Sequence, residues 1–500
     1  MVKKSFNSMV SVYHNPELIY PTNAPYNPSV QYPEYFMDIS LKKNNVYDAV
    51  RNSFFLLGLD KNNYETPDWN PLKDIIGPRN TVVIKPNFVI DNHNKGGNLF
   101  SIITHPSVIR AVIDYVYIAL AGEGRIIITD APQMDCDFNN LLEKTKMESI
   151  KELYRNKFNF NIEVYDLRDF CLNRKSNIRG SGTESRFKLP GDPSGSVIVN
   201  LGKESLFYEV DDYKKFYGAD YNRNETIKHH HKNIQEYQIS KTFLSADTII
   251  SIPKLKVHEK AGVTLNMKGL VGINTNKNYL IHYKLGSPRE RGDQFPDNFY
   301  GLKEKMKIKL QRMAFDIFLS KKNKLGDFVY EFIRKLGKFC FFKTYSELSK
   351  DKFVLDSGNW YGNDSVWRMV IDLLRIFLYA DKSGKLHDVP VRKSFSIVDG
   401  VIGGEKNGPL TPDAKNCGLI VSGFDLACVD LVCTRLMGFD YKKIKMFNYL
   451  INDHPELFKV NLNKIKVMSN KKFGNIFDKN NKNKYFDFEP HSGWENFIEI

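Results

Sequence analysis

The sequence predicts an α/β fold: a mainly parallel sheet with helices on both faces, plus an inserted basic amphipathic helical segment. Three observations carry this. Short apolar runs alternate with amphipathic stretches at the spacing of βαβ units rather than of hairpins. Thr81-Val-Val-Ile-Lys85, Arg125-Ile-Ile-Ile-Thr-Asp130 and Asp247–Ile252 read as strands buried in such a sheet. The runs end in polar residues, where an open parallel sheet places its ligands.

The elements follow in order. Residues 1–40 carry Pro16, Pro21, Pro25, Pro28 and Pro33 among several tyrosines, and read as an extended arm. The α/β core starts at about 41. After the strand ending at Lys85, Pro106 opens a helix, with Val108, Ile109, Val112, Ile113, Val116 and Leu120 at helical spacing and Gly122 and Gly124 beyond its end. The next strand ends at Asp130, completing a right-handed βαβ unit. A helix near 138–152 and a strand near 161–165 repeat the pattern. Residues 170–240 are irregular apart from a strand at 196–201. Asp247–Ile252 leads into Pro253-Lys-Leu-Lys-Val-His258. The first part of the core runs to 300, the basic insert occupies 301–350, and the second part spans 351–455. This second part holds a helix over 365–380, strands at 395–398 and 417–422, and a helix from about 425 to 437. Residues 456–500 form a C-terminal tail region.

Composition bounds the function. The chain has 500 residues, 42% of them hydrophobic, and a net charge of +14. A basic surplus points to an acidic partner. Residues 303–343 hold twelve Lys or Arg and four acids, more than half of that surplus. Met306, Leu310, Met313 and Ile317 fall on one helical face, and Leu325, Phe328, Val329, Phe332, Leu336 and Phe339 on another. This is the pattern of a helical hairpin packed on the body or of basic helices lying on an anionic membrane. Because the aromatics line the apolar stripe, nucleic acid is not the expected partner. The six cysteines contain no CxxC pair, so neither a zinc ribbon nor an iron–sulfur cluster is expected. There is no signal-peptide core and no run of about 18 apolar residues, so the expected location is the cytoplasm or the inner face of a membrane.

Candidate chemistry gathers at the strand ends. The first strand delivers Lys85 and Asn87, the second Asp130, and the third Lys254, Lys256 and His258; Asn266 and Lys268 follow. The fourth delivers Asp399, then a glycine-rich loop with Glu405 and Asn407. Lysines beside a histidine hold a phosphate or carboxylate and offer a proton. Lys85, Asn87, Lys254, Lys268, Asn266 and His282 are therefore the expected anion-binding residues. His258, Lys256 and His105 are the expected catalytic ones, with Thr104 as a helix cap. Asp130, Asp399 and Glu405 are expected to hold a divalent cation such as Mg²⁺. Asp293 is a further loop candidate. The run His229-His230-His231 reads as exposed.

The segments IKPNFV, ITHPSVIRAVIDY, ITDAPQ, SIPKLKVHEKAGVTLNMKGLVGIN, IHYKLGSP, RGDQFP, GNDSVWRMVIDLLRI and SIVDGVIGGEKNGPLTPDAKNCGLIVSGFDLACVDLVCTRLMGFD together resemble the family catalogued as domain of unknown function 362, in the same order over roughly 80–450. The resemblance is closest to long members carrying the IHYKLGSP and RGDQFP insert. Many members carry an iron–sulfur ferredoxin module; this chain departs from them in lacking a cysteine quartet. Long members occur beside surface-polysaccharide genes. A distant similarity to nickel-pincer lactate racemases implies a site of lysines and histidines.

The leading expectation is metal-assisted chemistry on a phosphorylated or carboxylated substrate, lipid- or sugar-linked. The alternatives are a cofactor-dependent racemase or oxidoreductase, and a non-enzymatic peripheral membrane scaffold in surface-polysaccharide assembly.

Overall fold

The computed structural model describes residues 8–172, 186–219, 222–314, 316, 355–453, 461–478 and 480–500. The elements that matter to the site are strands β1 (Met9–His14), β2 (Thr81–Pro86), β3 (Arg125–Asp130), β4 (Ile162–Asp166), β5 (Thr248–Ile252), β6 (Lys254–His258), β7 (Gly262–Val263), β8 (Lys393–Glu405), β9 (Asp413–Gly423) and β10 (Lys466–Ser469). The helices are α1 (Asn45–Leu56), α2 (Pro106–Leu120), α3 (Met147–Phe158), α4 (Leu265–Gly269), α5 (Leu302–Ala314), α6 (Val366–Tyr379) and α7 (Leu426–Leu436).

The ten strands form one sheet, eight of them in the order β10-β1-β9-β8-β5-β2-β3-β4, with β6 and β7 off this path. From β8 to β4 every neighbour is parallel. β9 runs antiparallel to β8 and to β1, and β10 closes the far edge parallel to β1. β6 continues the chain after Pro253 and pairs with the distal half of β8, Lys254 opposite Asp399 and Lys256 opposite Gly404; β7 pairs back on β6.

The inner strands β2, β3 and β5 are buried on both faces, and their runs are accordingly mostly apolar, whereas the edge strands β4 and β10 are partly exposed. Alternate residues serve the two sides. Val83, Ile127, Ile249, Val398 and Val421 pack in the core with α6 and α7. Val82, Ile84, Ile126, Ile128, Ile250 and Ile252 pack with α1, α2 and α3. Among the described residues no helix is long and apolar enough to cross a membrane.

Several expectations change. The arm is not merely draped on the body: Met9–His14 enters the sheet between β9 and β10. The tail supplies an edge strand and the buried Phe488, Trp494 and Ile498. Neither pairing leaves a local signal, because the partners lie more than 400 residues apart in sequence. The helix near 138–152 is two helices, broken where Lys146 turns left-handed (φ 53°). The glycine-rich stretch after Asp399 is not a loop but strand as far as Glu405. Its glycines admit neighbours: a Cβ on Gly404 would meet the Ser101 carbonyl at 2.5 Å, and one on Gly403 the Phe488 ring at 2.6 Å. The second basic helix, expected over 325–339, lies outside the described residues.

Candidate functional site: a lysine cage around two histidines

The site begins at the carboxyl ends of β2 and β3. Lys85 and Asp130 end adjacent parallel strands, and Lys85 Nζ meets Asp130 Oδ1 at 3.0 Å, both buried. The Asp130 carboxylate also accepts the backbone N–H groups of Phe88 (2.8 Å) and Ala131 (2.9 Å). Gly272 packs directly on the pair: a Cβ there would fall 1.8 Å from Asp130 Oδ1 and 2.8 Å from Lys85 Nζ. The Gly272 carbonyl accepts from Ala131 N at 2.8 Å, docking the 265–280 segment onto the end of β3.

That segment carries two more buried lysines. Lys277 Nζ donates to the Ala131 carbonyl at 2.8 Å. Lys268 sits on α4, whose first turn is held by a carboxylate from α7: Asp430 accepts from Asn266 N (2.9 Å) and Met267 N (2.8 Å). Among the described residues Lys268 Nζ has no hydrogen-bond or ion-pair partner, although the residue is only 8% exposed. An unpartnered buried ammonium is costly, and the price shows in its proton affinity. Burial, then the neighbouring Lys260 charge, lowers Lys268 to about 8. Burial lowers Lys277 to about 7, against the opposing pull of Asp130. Burial, then Lys268 and Lys254, holds Lys256 well below the ordinary lysine range. Its Nζ donates to the carbonyls of Ile102 (2.8 Å) and Pro409 (3.0 Å). Lys260 completes the set, 2.9 Å from the Glu259 carboxylate.

Two histidines share this field. Burial, then the charges of Lys268 and Lys260, holds both His258 and His282 well below the usual histidine value, so both are neutral near pH 7. Their tautomers are opposite. His258 Nδ1 accepts the Lys260 backbone N–H at 3.0 Å, which leaves the proton on Nε2. His282 Nδ1 faces the Leu280 carbonyl at 3.2 Å and must donate to it, which leaves a lone pair on Nε2. One ring therefore offers a proton and the other can take one.

Other expected site residues are occupied elsewhere. Lys254 and Asp399 form a fully buried ion pair at 3.1 Å. Asp399 also accepts the Tyr20 hydroxyl (2.6 Å) and the backbone N–H of His105 (2.9 Å). His105 is the α2 cap: its Nδ1 accepts from Ser107 N, and its ring stacks on Tyr20 at 4.0 Å. Thr104 does not cap; it ties Asn87 N to the Ile252 carbonyl. The Asn87 side chain is bound to the Ile102 carbonyl, and Asn266 to Asp430 and Ser396. Asp293 receives Asp364 N and the Ser365 hydroxyl at the start of α6.

Asp130, Asp399 and Glu405 do not form one cation site. Asp399 and Glu405 are six residues apart along β8, roughly 20 Å in extended chain. Glu405 is held by Lys415 (2.8 Å) and Glu489 N (3.0 Å). Among the described residues no group of three or more His, Cys, Asp or Glu is arranged to hold a metal. The histidine run is not exposed: His229 and His230 are buried, with His229 on Glu236 and His230 between Gln235 and the Tyr279 carbonyl.

Sequence reasoning missed Lys277 and Lys260 as members of the cage and Gly272 as its floor. Lys277 had one available signal, a lysine inside an otherwise apolar and glycine-rich stretch.

A family model described as "Domain of unknown function (DUF362)" matches residues 82–169 and 189–435. The chain belongs to the DUF362 family. The match covers both halves of the cage, from Lys85 in the first matched segment to Lys256, His258, Lys268, Lys277 and His282 in the second. Among solved structures, this DUF362 chain is similar to a Thermotoga maritima protein known from a crystal structure, with 10% identity and a TM-score of 0.29 over 77% of this chain and 58% of that one. The chain thus spans less than two thirds of that protein's length. No curated protein matches.

Proposed function

We propose that the chain is an enzyme that holds a phosphorylated or carboxylated substrate in the lysine cage and moves a proton at it with His258 and His282. The observation that carries this reading is the pair of neutral histidines in opposite tautomers, set among five buried lysines. Among the described residues, Lys85, Lys256, Lys260, Lys268 and Lys277 face two carboxylates, Asp130 and Glu259, so the cage has a surplus of positive charge. An anion entering it supplies the missing countercharge and raises the proton affinity that burial has lowered at Lys256, Lys268 and Lys277.

The histidines then act on the substrate next to its anchored group. His282 Nε2, with its lone pair, takes a proton; His258 Nε2–H supplies one. Within this reading, the opposed tautomers favour proton exchange at a carbon beside a carboxylate, the chemistry of a racemase or isomerase. Asp130, Asp399 and Glu405, each held by its own partners, do not together fit a divalent ion.

The test is a screen of phosphorylated and carboxylated small molecules in deuterated water, read by NMR for deuterium entering the substrate. Turnover should be lost in His258→Gln and His282→Gln while sulfate binding persists, and Lys268→Met should lose sulfate binding itself. Turnover that survives both histidine substitutions would overturn the assignment.

A further inference from the structure

Helix α5 begins the basic segment, and its docking defines which face it shows to solvent. One side is tied to the body. The Arg312 guanidinium lies over the rings of Tyr217 (5.5 Å) and Tyr283 (5.6 Å), and it donates to the Asp356 carbonyl at 3.3 Å. Lys305 Nζ donates to the Asp297 carbonyl at 2.7 Å, and Ile308 is half-buried. Just beyond the helix, Asp316 accepts from Tyr217 and Arg223. Residues 305, 308, 312 and 316 follow helical spacing, so they mark a single inward stripe.

That anchoring turns a second stripe outward. Leu302, Met306, Leu310 and Met313 are 87%, 61%, 58% and 50% exposed. At about 100° per residue they fall within an arc of roughly 80°. Scattered exposed apolar residues are ordinary on any protein, but four aligned on one helix face are a surface of interaction. Lys303 and Lys309, both exposed, fall on opposite flanks of the arc. An apolar stripe edged by lysines suits a surface that is apolar below and negatively charged above.

We propose that α5 rests on an anionic lipid bilayer, with Leu302, Met306, Leu310 and Met313 entering the headgroup boundary and Lys303 and Lys309 meeting lipid phosphates. A protein groove would satisfy the apolar stripe but would not require lysines on both of its edges. The placement also bears on the cage. Tyr283, on which Arg312 stacks, neighbours His282 in the strand Ile281–Lys284, so the lipid-facing helix and one site histidine are mounted on the same short strand.

The experiment is vesicle flotation of the full chain, with phosphatidylcholine alone and with phosphatidylcholine mixed with phosphatidylglycerol. The chain should float with the mixed vesicles and not with the neutral ones, and salt should release it. Leu302→Ser with Met306→Ser and Leu310→Ser should abolish flotation. Lys303→Gln with Lys309→Gln should weaken it about 30-fold, about fivefold for each charge removed. Both variants should keep wild-type sulfate binding, which shows that they fold. Equal binding to neutral and anionic vesicles, or binding unchanged in the serine variant, would overturn the proposal. So would absence of flotation. Concentration-dependent self-association that the serine variant abolishes, without flotation, would instead make this face a contact between copies of the chain.

Discussion

Replacing Lys268 by methionine should stabilise the protein near neutral pH while removing its capacity to bind anions. Lys268 falls from an ordinary 10.5 to about 8 in the fold, chiefly through burial. At about 1.4 kcal/mol per pH unit, keeping it charged below pH 8 costs the folded state about 3 kcal/mol. Between pH 8 and 10.5 the unfolded chain holds this proton and the folded chain does not, so stability rises with pH across that window. Below pH 8 both states are protonated and the penalty is complete. Methionine keeps the length and packing of the side chain and removes the charge. The variant should therefore gain up to about 3 kcal/mol at pH 7, or about 3 °C in Tm for a chain of this length. The gain should shrink toward zero as pH approaches 10.5. The assay is thermal and denaturant unfolding of both proteins from pH 7 to 10 in anion-poor buffer. Sulfate should raise the Tm of the wild type at pH 7, raise it less above pH 8, and leave the variant unmoved. A variant less stable than the wild type at every pH would show Lys268 to be a packing residue, and the reasoning would fail.

Two other perturbations bear on the same architecture. Asp399→Asn or Lys254→Met alone should cost about 3–5 kcal/mol, because each leaves a buried charge unpaired, whereas the double substitution should cost clearly less than the sum; a double-mutant cycle in urea measures this, and strict additivity would deny the coupling. Gly272→Ala should push Lys85 and Asp130 apart, destabilise the fold by about 1–3 kcal/mol and weaken sulfate binding; unchanged affinity would place the anion away from this pair.

The strands were legible wherever an apolar run met a polar end. Thr81–Pro86, Arg125–Asp130 and Thr248–Ile252 are parallel neighbours or near neighbours in one sheet, and the strand-end rule led to Lys85, Asp130, Lys256 and His258. What could not be read was register. Lys254 and Asp399 look like two free charges in the sequence and are one neutralised pair in the fold, because β6 lies beside the distal half of β8. Asn266 looks like a ligand and is a scaffold residue, because a carboxylate 164 positions later in the chain holds α4. Gly400, Gly403 and Gly404 read as a loop, yet they serve close packing within a strand. Lys277 lies in a short turn without periodicity, and its burial arises only when that turn docks on the end of β3.

Anion binding in the cage should be coupled to proton uptake. Calorimetric titration with sulfate at pH 8, in two buffers of different ionisation enthalpy, tests it most directly, because sulfate does not itself titrate there. Binding should be accompanied by net proton uptake, since Lys268 and Lys277 are then partly neutral, and both signals should be lost in Lys268→Met. Absence of binding, or binding without proton uptake that Lys268→Met leaves unchanged, would contradict it.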